Sequence, residues 1–357
     1  MKKSALIAMS GGVDSSVAAF LMKSKGFDCI GVTMKLFDND DIGVSREKSC
    51  CSLDDVEDAR SVCVGMGIPY YVLNFKQGFE EKVIKKFIET YENGGTPNPC
   101  IDCNRYLKFD ALYNKAKELG LDYIVTGHYA TVEFDEKSGR YLLKKGVDLT
   151  KDQSYVLFNL NQNQLAHTIF PLGTYAKSEI REIAKEHGFI NYNKKDSQDI
   201  CFVQDGNYAA FIENHQHKKY ESGDFVYKDG KVLGKHKGII NYTIGQRKGL
   251  GISYPTPLYV IDKNVAENKV VLGDNGDLMK STVTAKDINL ISVATVEKPM
   301  KAKAKTRYNM KEQPGTLYQT DDNTLVFEFD EPQRAITPGQ ALVVYDGDVV
   351  VGGGTII

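Results

Sequence analysis

Apolar residues in the first half of the chain fall into short unbroken runs separated by stretches of helical periodicity. Residues 5–9 (ALIAM) form a run that stops at Ser10-Gly11-Gly12. From residue 15 to 22 the apolar spacing is helical, and Gly26 provides a C-terminal stop. The pattern then predicts a strand at 29–34, a helix at 53–66 closed by Gly67-Ile68-Pro69, and a strand at 70–75. Helices follow at about 78–91 and 107–119, a buried strand at 123–126 ends at Gly127-His128, and a further helix covers about 178–187. Strands that alternate with helices of about 10–15 residues imply a parallel sheet covered on both faces.

The texture changes near Gly223, where glycines punctuate short β-rich runs, and from about Ser281 short alternating strands such as 324–329 (TLVFEF) predict a small antiparallel barrel or sandwich. There is no internal repeat and no low-complexity segment. The fold expected is therefore α/β, with a parallel-sheet nucleotide-binding domain at 1–207, a small central domain at 208–277 and a C-terminal antiparallel β-barrel at 278–357. A length of 357 residues accommodates this division.

Hydrophobic residues at 42% and charged residues at 26% are the balance of an ordinary soluble protein. No stretch approaches the roughly 18 apolar residues of a membrane span, and the opening MKKSALIAMSGG is too short in its apolar part for a signal peptide. A cytoplasmic protein with no membrane partner is expected. The net charge of −2 excludes a uniformly basic nucleic-acid binder but leaves room for a local basic surface. Seven cysteines in a cytoplasmic chain do not suggest a disulfide framework, so metal ligation or thiol chemistry becomes the question.

The string Ser10-Gly11-Gly12-Val13-Asp14-Ser15-Ser16 lies between the first strand and the first helix. Glycines let backbone N–H groups approach an anion, the helix N-terminus favours negative charge, and the serines add donors. A Gly-Lys-Ser/Thr ending is missing, so this is not the usual P-loop. The alternative is a tight capped turn without a ligand. The string resembles the pyrophosphatase loop of the N-type ATP pyrophosphatases, adenine nucleotide α hydrolase-like enzymes that split ATP into AMP and pyrophosphate. That resemblance implies ATP contacts at Ala8, Met9, Ser10, Gly11, Gly12, Val13, Asp14 and Ser15, and at Met34 and Gly127 on neighbouring strand ends. Ligands of open parallel sheets do sit at the carboxyl ends of the strands.

Cys100 and Cys103 form a C-x-x-C pair in the stiff loop Pro97-Asn98-Pro99-Cys100-Ile101-Asp102-Cys103, and Cys201 follows a polar stretch at 191–199 that should leave it accessible. Cys29 and Cys63 fall in a strand and a helix and read as core residues; Cys50 and Cys51 are ambiguous. C-x-x-C can be a thiol pair of lowered pKa or half of a metal site, and His128 is a conceivable fourth ligand.

SGGVDSS, the 98–109 pattern NPCIDCNRYLKF, TGHYA at 126–130, KDQSY at 151–155, DSQDICF at 196–202, YTIGQRKGLG at 242–251 and TPGQ at 337–340 occur in order along nearly the whole chain. In these motifs the sequence resembles the tRNA-specific 2-thiouridylases. The resemblance implies ATP, with Mg2+, activating the C2 oxygen of a wobble uridine as an adenylate. Cys201 would take up sulfur as a persulfide from a cysteine desulfurase or a relay protein, and Cys103 would close a disulfide with it as sulfur leaves. Asn98, Pro99 and Cys100 would meet the flipped-out base. His128, Lys151, Asp152, Gln153, Arg307, Tyr308 and Gln340 would meet tRNA. Many members carry Asp where this chain has Cys100, and that Asp is assigned an acid/base role. The departure creates Cys100, Cys103 and Cys201 as three candidate ligands of a 4Fe–4S cluster, a competing mechanism for the same reaction.

Between Lys298 and Lys311 six residues are basic and none acidic, and Lys301, Lys303, Lys305 and Arg307 alternate strictly. On one strand face these cations would stand about 6.6 Å apart, near the spacing of RNA phosphates. The bland alternative is an edge strand protected by lysines. Two rival functions remain: a small-molecule ATP pyrophosphatase with no tRNA substrate, and a non-catalytic RNA-binding metalloprotein.

Overall fold

The computed structural model describes residues 2–38, 53–196, 200–203 and 206–357. Cys50 and Cys51 lie outside the described residues. The N-terminal part contributes strands β1 (Ser4–Ala8), β2 (Asp28–Lys35), β3 (Tyr70–Asn74), β4 (Tyr123–Val125), a hairpin of β5 (Ala130–Asp135) and β6 (Arg140–Lys145), and β7 (Thr168–Ile169). Among the described residues β3-β2-β1-β4-β7 is one all-parallel sheet, in that order. Alternate residues of β1 explain its double cover. Ala5 and Ile7 enter a core with helices α1 (Val13–Ser24), α2 (Leu53–Gly65) and Lys177–Glu186, whereas Leu6 faces a second core with Leu112, Tyr113 and Ala116. Cys29 and Cys63 belong to the first of these cores, as their apolar surroundings in the sequence suggested.

The central strands are β8 (Gly223–Tyr227), β9 (Val232–His236), β10 (Tyr259–Asn264) and β11 (Lys269–Gly273), ordered β10-β11-β8-β9. A third core joins them to the helical layer of the N-terminal part: Phe225, Val260 and Val270 share it with Phe79, Phe87, Leu107 and the helix Tyr208–His215.

The C-terminal strands are β12 (Met279–Leu290), β13 (Met300–Lys305), β14 (Gln313–Asp321), β15 (Thr324–Arg334), β16 (Ala341–Asp346) and β17 (Val349–Ile356). They run β12-β15-β14-β13-β16-β17, and β17 pairs back onto β12. The expected barrel or sandwich is thus a closed barrel, which leaves none of these strands as a free edge. Sequence patterning did not reveal the β5–β6 hairpin, which belongs to the N-terminal part by sequence but extends the barrel sheet through β17 and β6. Fully buried Leu143 of β6 shares a core with Val343, Tyr345 and Val350 of the barrel. Leu143→Ala should therefore loosen the joint between the two parts. A loss of about 2–5 kcal/mol is expected, read as a lowered urea midpoint of tryptic resistance and far-UV CD.

Candidate functional site

The parallel sheet reverses its order between β1 and β4, and the chain leaves both strands at their carboxyl ends beside each other. At the end of β1 the backbone turns at Gly11 with φ +74°, and a Cβ there would lie 2.3 Å from the Asp55 carbonyl oxygen. Glycine is required on both counts. Gly12 is extended, and a Cβ on it would meet nothing nearer than Ser10 Oγ at 3.5 Å, so this side of the loop is open. α1 begins at once with no side chain capping it, leaving its first-turn N–H groups for an anion. Ser15 Oγ accepts from the Ser10 N–H at 3.2 Å and donates to Gly12 O at 3.0 Å, which fixes the turn. Gly127, just past β4, packs against this first turn: its Cβ would fall 2.9 Å from the Ser15 nitrogen. Met9 is buried, and Met34 at the end of β2 packs against two of the cores.

Asp14 is the acid on the loop. Its carboxylate accepts from Tyr129 Oη at 2.7 Å and from Lys177 Nζ at 2.7 and 2.8 Å. Lys177 also pairs with Asp196 at 2.9 Å, and Asp196 in turn with Lys151 at 2.8 Å and Arg181 at 3.3 Å. Burial pushes the Asp196 carboxyl up, but the hydrogen bonds from Lys151 and Lys177 outweigh it and hold the group down to about 2. A chain of charges thus connects the glycine loop to Asp196, five residues before Cys201 in sequence. On the loop's other side Asn191 donates to Gly11 O and Ser16 Oγ, both at 2.9 Å, and Lys194 bridges Asp55 and Asp58. Sequence reasoning missed Lys177, Asn191 and Lys194. Lys177 did leave a signal: it opens a helix, where the macrodipole disfavours a cation unless a nearby anion compensates.

Pro99 begins a short helix, Pro99–Asp102, that continues as a π-helical turn over Cys103–Ala111. Such widened turns recur at functional sites. Cys100 faces outward and is exposed, whereas Cys103 is half-buried against the core shared with the central part. Cys201 borders the same core and is also half-buried, less accessible than its polar flank suggested. The neighbouring Phe202 explains its position. That ring is fully buried, edge-on to Phe79 at 5.6 Å and Phe87 at 5.1 Å. The residues of DSQDICF at 197–199 lie outside the described residues.

Among the described residues no three His, Cys, Asp or Glu side chains converge as metal ligands. Cys100 is exposed, while Cys103 and Cys201 each border the core shared with the central part. His128 is in no such group among the described residues. It is buried between Phe109 and Phe170, with Nδ1 2.7 Å from Thr126 Oγ1, and burial holds its pKa well below the usual imidazole range.

A family model described as "tRNA methyl transferase HUP domain" matches residues 3–205, a "tRNA methyl transferase PRC-barrel domain" matches 209–274, and an "Aminomethyltransferase beta-barrel domain" matches 280–356. The chain is 56% identical over 356 residues to tRNA-specific 2-thiouridylase MnmA of Clostridioides difficile (strain 630), covering 100% of this chain and 98% of that one. It belongs to the tRNA-specific 2-thiouridylase family. A second relative, from Acetivibrio thermocellus, is 51% identical and covers 99% of both chains. Among solved structures, a 4-thiouridine synthetase–RNA complex with bound ATP overlaps 60% of this chain and 50% of its own, with a TM-score of 0.36 and 19% identity.

In this thiouridylase-family chain the residues expected to face tRNA divide into two groups. Lys301 and Lys303 are exposed on β13 with Lys305 half-buried, and Ala302 and Ala304 alternate inward. The strand lies between β14 and β16 rather than at an edge, so edge protection does not account for the lysines. The placing of Arg307 in the strand alternation is corrected. β13 ends at Lys305, and the Arg307 guanidinium turns inward to Ile244 O, Ala335 O and Thr337 Oγ1 at 3.2, 3.0 and 2.7 Å. Asp152 is buried and accepts from Gly146, Ser154 N and Ser154 Oγ, while Gln153 pairs with the Tyr129 backbone. Tyr308 donates to Asp152 O at 3.1 Å. Burial pushes its phenol up, reinforced by the charge of Asp152. Asp102 is buried with its carboxylate 2.6 Å from Lys86 Nζ, and burial pushes its pKa up.

The two loop glycines separate folding from ligand binding. Gly12→Val adds atoms on the open side, so the variant should melt within a few degrees of the parent and lose ATP binding by at least about tenfold in equilibrium dialysis. Gly11→Val should instead fail to fold stably, because its Cβ collides with backbone.

Proposed function

We propose that this chain is an ATP-dependent tRNA sulfurtransferase that exchanges the C2 oxygen of the wobble uridine for sulfur. The observation that carries the reading is the link between the two halves of the chemistry. Lys177 joins Asp14 of the anion-binding loop to Asp196, in the segment leading to Cys201, while Cys201 and Cys103 border one core. Identity to a tRNA-specific 2-thiouridylase along the full chain supplies the substrate class.

ATP would place its phosphates against the first turn of α1, with Ala8 to Ser15, Met34 and Gly127 around it. An amide-like oxygen is a poor leaving group, and adenylation turns it into AMP while pyrophosphate departs. Sulfur arrives as a persulfide on Cys201, given by a cysteine desulfurase or a relay protein. Its terminal sulfur bonds to C2 and expels AMP. The Cys103 thiolate then attacks the Cys201 sulfur, closing a Cys103–Cys201 disulfide and leaving the sulfur on the base. An external thiol reductant must reopen that disulfide before the next turnover. Asn98, Pro99 and Cys100 at the start of their helix would frame the base. Asp14 is the loop's carboxylate for Mg2+, although Lys177 and Tyr129 already engage it. Sulfur would pass through Cys201 and Cys103, which border one core; a 4Fe–4S cluster on Cys100, Cys103 and Cys201 is the competing route, and iron and sulfide analysis of protein purified without oxygen distinguishes the two.

The test uses unmodified tRNA, ATP and a persulfide-loaded desulfurase, with AMP and thiouridine measured together. AMP formation should depend on tRNA. Cys103→Ser and Cys201→Ser should each lower thiouridine by at least about a hundredfold while Cys100→Ser retains it. AMP release that ignores tRNA but responds to a small carbonyl substrate would return the chain to the synthetase reading.

A second expectation concerns the barrel. Replacing Lys301, Lys303 and Lys305 together with Gln should weaken tRNA binding and flatten its log–log salt dependence by about two to three units, because fewer counterions are released. Filter binding across a salt titration measures both, with ATP binding unchanged.

A further inference from the structure

Gln340 and Arg307 are expected from the family resemblance to touch tRNA, yet both are engaged inside the molecule. Gln340 Nε2 donates to Thr96 O at 2.8 Å and to Pro97 O at 3.2 Å. Both partners are acceptors, so the amide nitrogen must face them, and its two hydrogens are thereby used. The turn that carries Gln340 is wedged into place. Thr96 N donates to Pro338 O at 2.8 Å, and a Cβ on Gly339 would lie 2.6 Å from the Thr90 methyl group. A Cβ on Gly95 would fall 3.0 Å from Pro338 O. Behind the turn, Arg307 binds Thr337 Oγ1 and Ala335 O and reaches Ile244 O in the central part. The segment so gripped, 95–97, leads directly into Asn98-Pro99-Cys100 and the helix that holds Cys103.

We propose that Gln340 is a positioning residue for the Asn98–Cys103 segment: it acts on thiolation through Thr96 and Pro97, not by contributing affinity for tRNA. The proposal rests on the sulfurtransferase reading above. A contact made through two backbone carbonyls next to the start of a helix fixes where that helix begins. An error of about 1 Å there can cost up to roughly a hundredfold in rate. The clasp also gives the barrel a mechanical connection to the reacting centre, because Arg307 joins Ile244 to Thr337, Gln340 N donates to Thr337 O at 3.3 Å, and the Gln340 side chain holds Thr96 and Pro97.

The experiment compares the parent chain with Gln340→Leu, which keeps bulk but has no donor, and Gln340→Lys, which can still donate to both carbonyls. Single-turnover thiolation is followed at saturating tRNA and ATP with persulfide-loaded desulfurase, and tRNA affinity is measured by filter binding across a salt series. Thiolation by the parent in this assay tests the function itself, so a silent parent would reject that reading and not the role of Gln340. For Gln340→Leu the expected result is a rate constant lowered by roughly ten- to a hundredfold, with tRNA affinity and salt slope within about twofold of the parent. Gln340→Lys should recover at least part of the rate. Two results overturn the proposal: tRNA affinity weakened about tenfold or more at an unchanged saturated rate constant, or a rate constant equal to the parent's. A variant that merely folds poorly shows a smaller amplitude at the parental rate constant, which also counts against positioning.

Discussion

Everything at the site depends on the reversal of strand order between β1 and β4. Because β2 and β3 lie to one side of β1, and β4 and β7 to the other, the loops leaving β1 and β4 diverge and open a crevice at the carboxyl edge of the sheet. The crevice works only because both loops are glycine-tight at their closest approach: Gly127 rests on the first turn of α1, and Gly11 rests on the start of α2. With no side chain capping α1, the sheet edge ends in bare backbone donors, and the nearby acid, Asp14, is already neutralised by Lys177. An approaching polyphosphate therefore meets donors and a compensated carboxylate rather than a net negative wall.

The N-terminal part was the most legible in sequence, for a physical reason. In a parallel sheet buried on both faces each strand must be an almost continuous apolar run, and 5–9, 29–34 and 123–126 stand out as such. The β5–β6 hairpin went unseen because it is half-exposed, with Phe134 half in solvent and charged residues on both strands. Its identity as part of a barrel sheet comes from a pairing with β17, some 200 residues away, which no local pattern encodes. The glycine loop was visible as a motif. Its ion network was not, since Lys177 and Asp196 are ordinary charged residues until the helix Lys177–Glu186 brings them to Asp14.

The basic strand shows both sides of this limit. Strict alternation at 301, 303 and 305 was a sound guide to which lysines face outward, because the period of a strand is fixed. Extending the same alternation to Arg307 failed where the strand stopped two residues earlier. Past that point the guanidinium follows the nearest cluster of carbonyls, at Ile244 and Ala335, and burial lowers its pKa without displacing its charge.

The cysteines give the central part a role beyond spacing two larger domains. Cys103 and Cys201 come from elements far apart in sequence. What they share is the core in which Phe202 is clamped by Phe79 and Phe87 and, at 5.1 Å, by Phe211 of the helix Tyr208–His215. Aromatic packing of this kind is close to incompressible, so a shift of that helix must be answered by Phe202 and hence by the residue before it. The placement of Cys201 therefore depends on the packing of the central domain. Cys100, three residues before Cys103, is exposed.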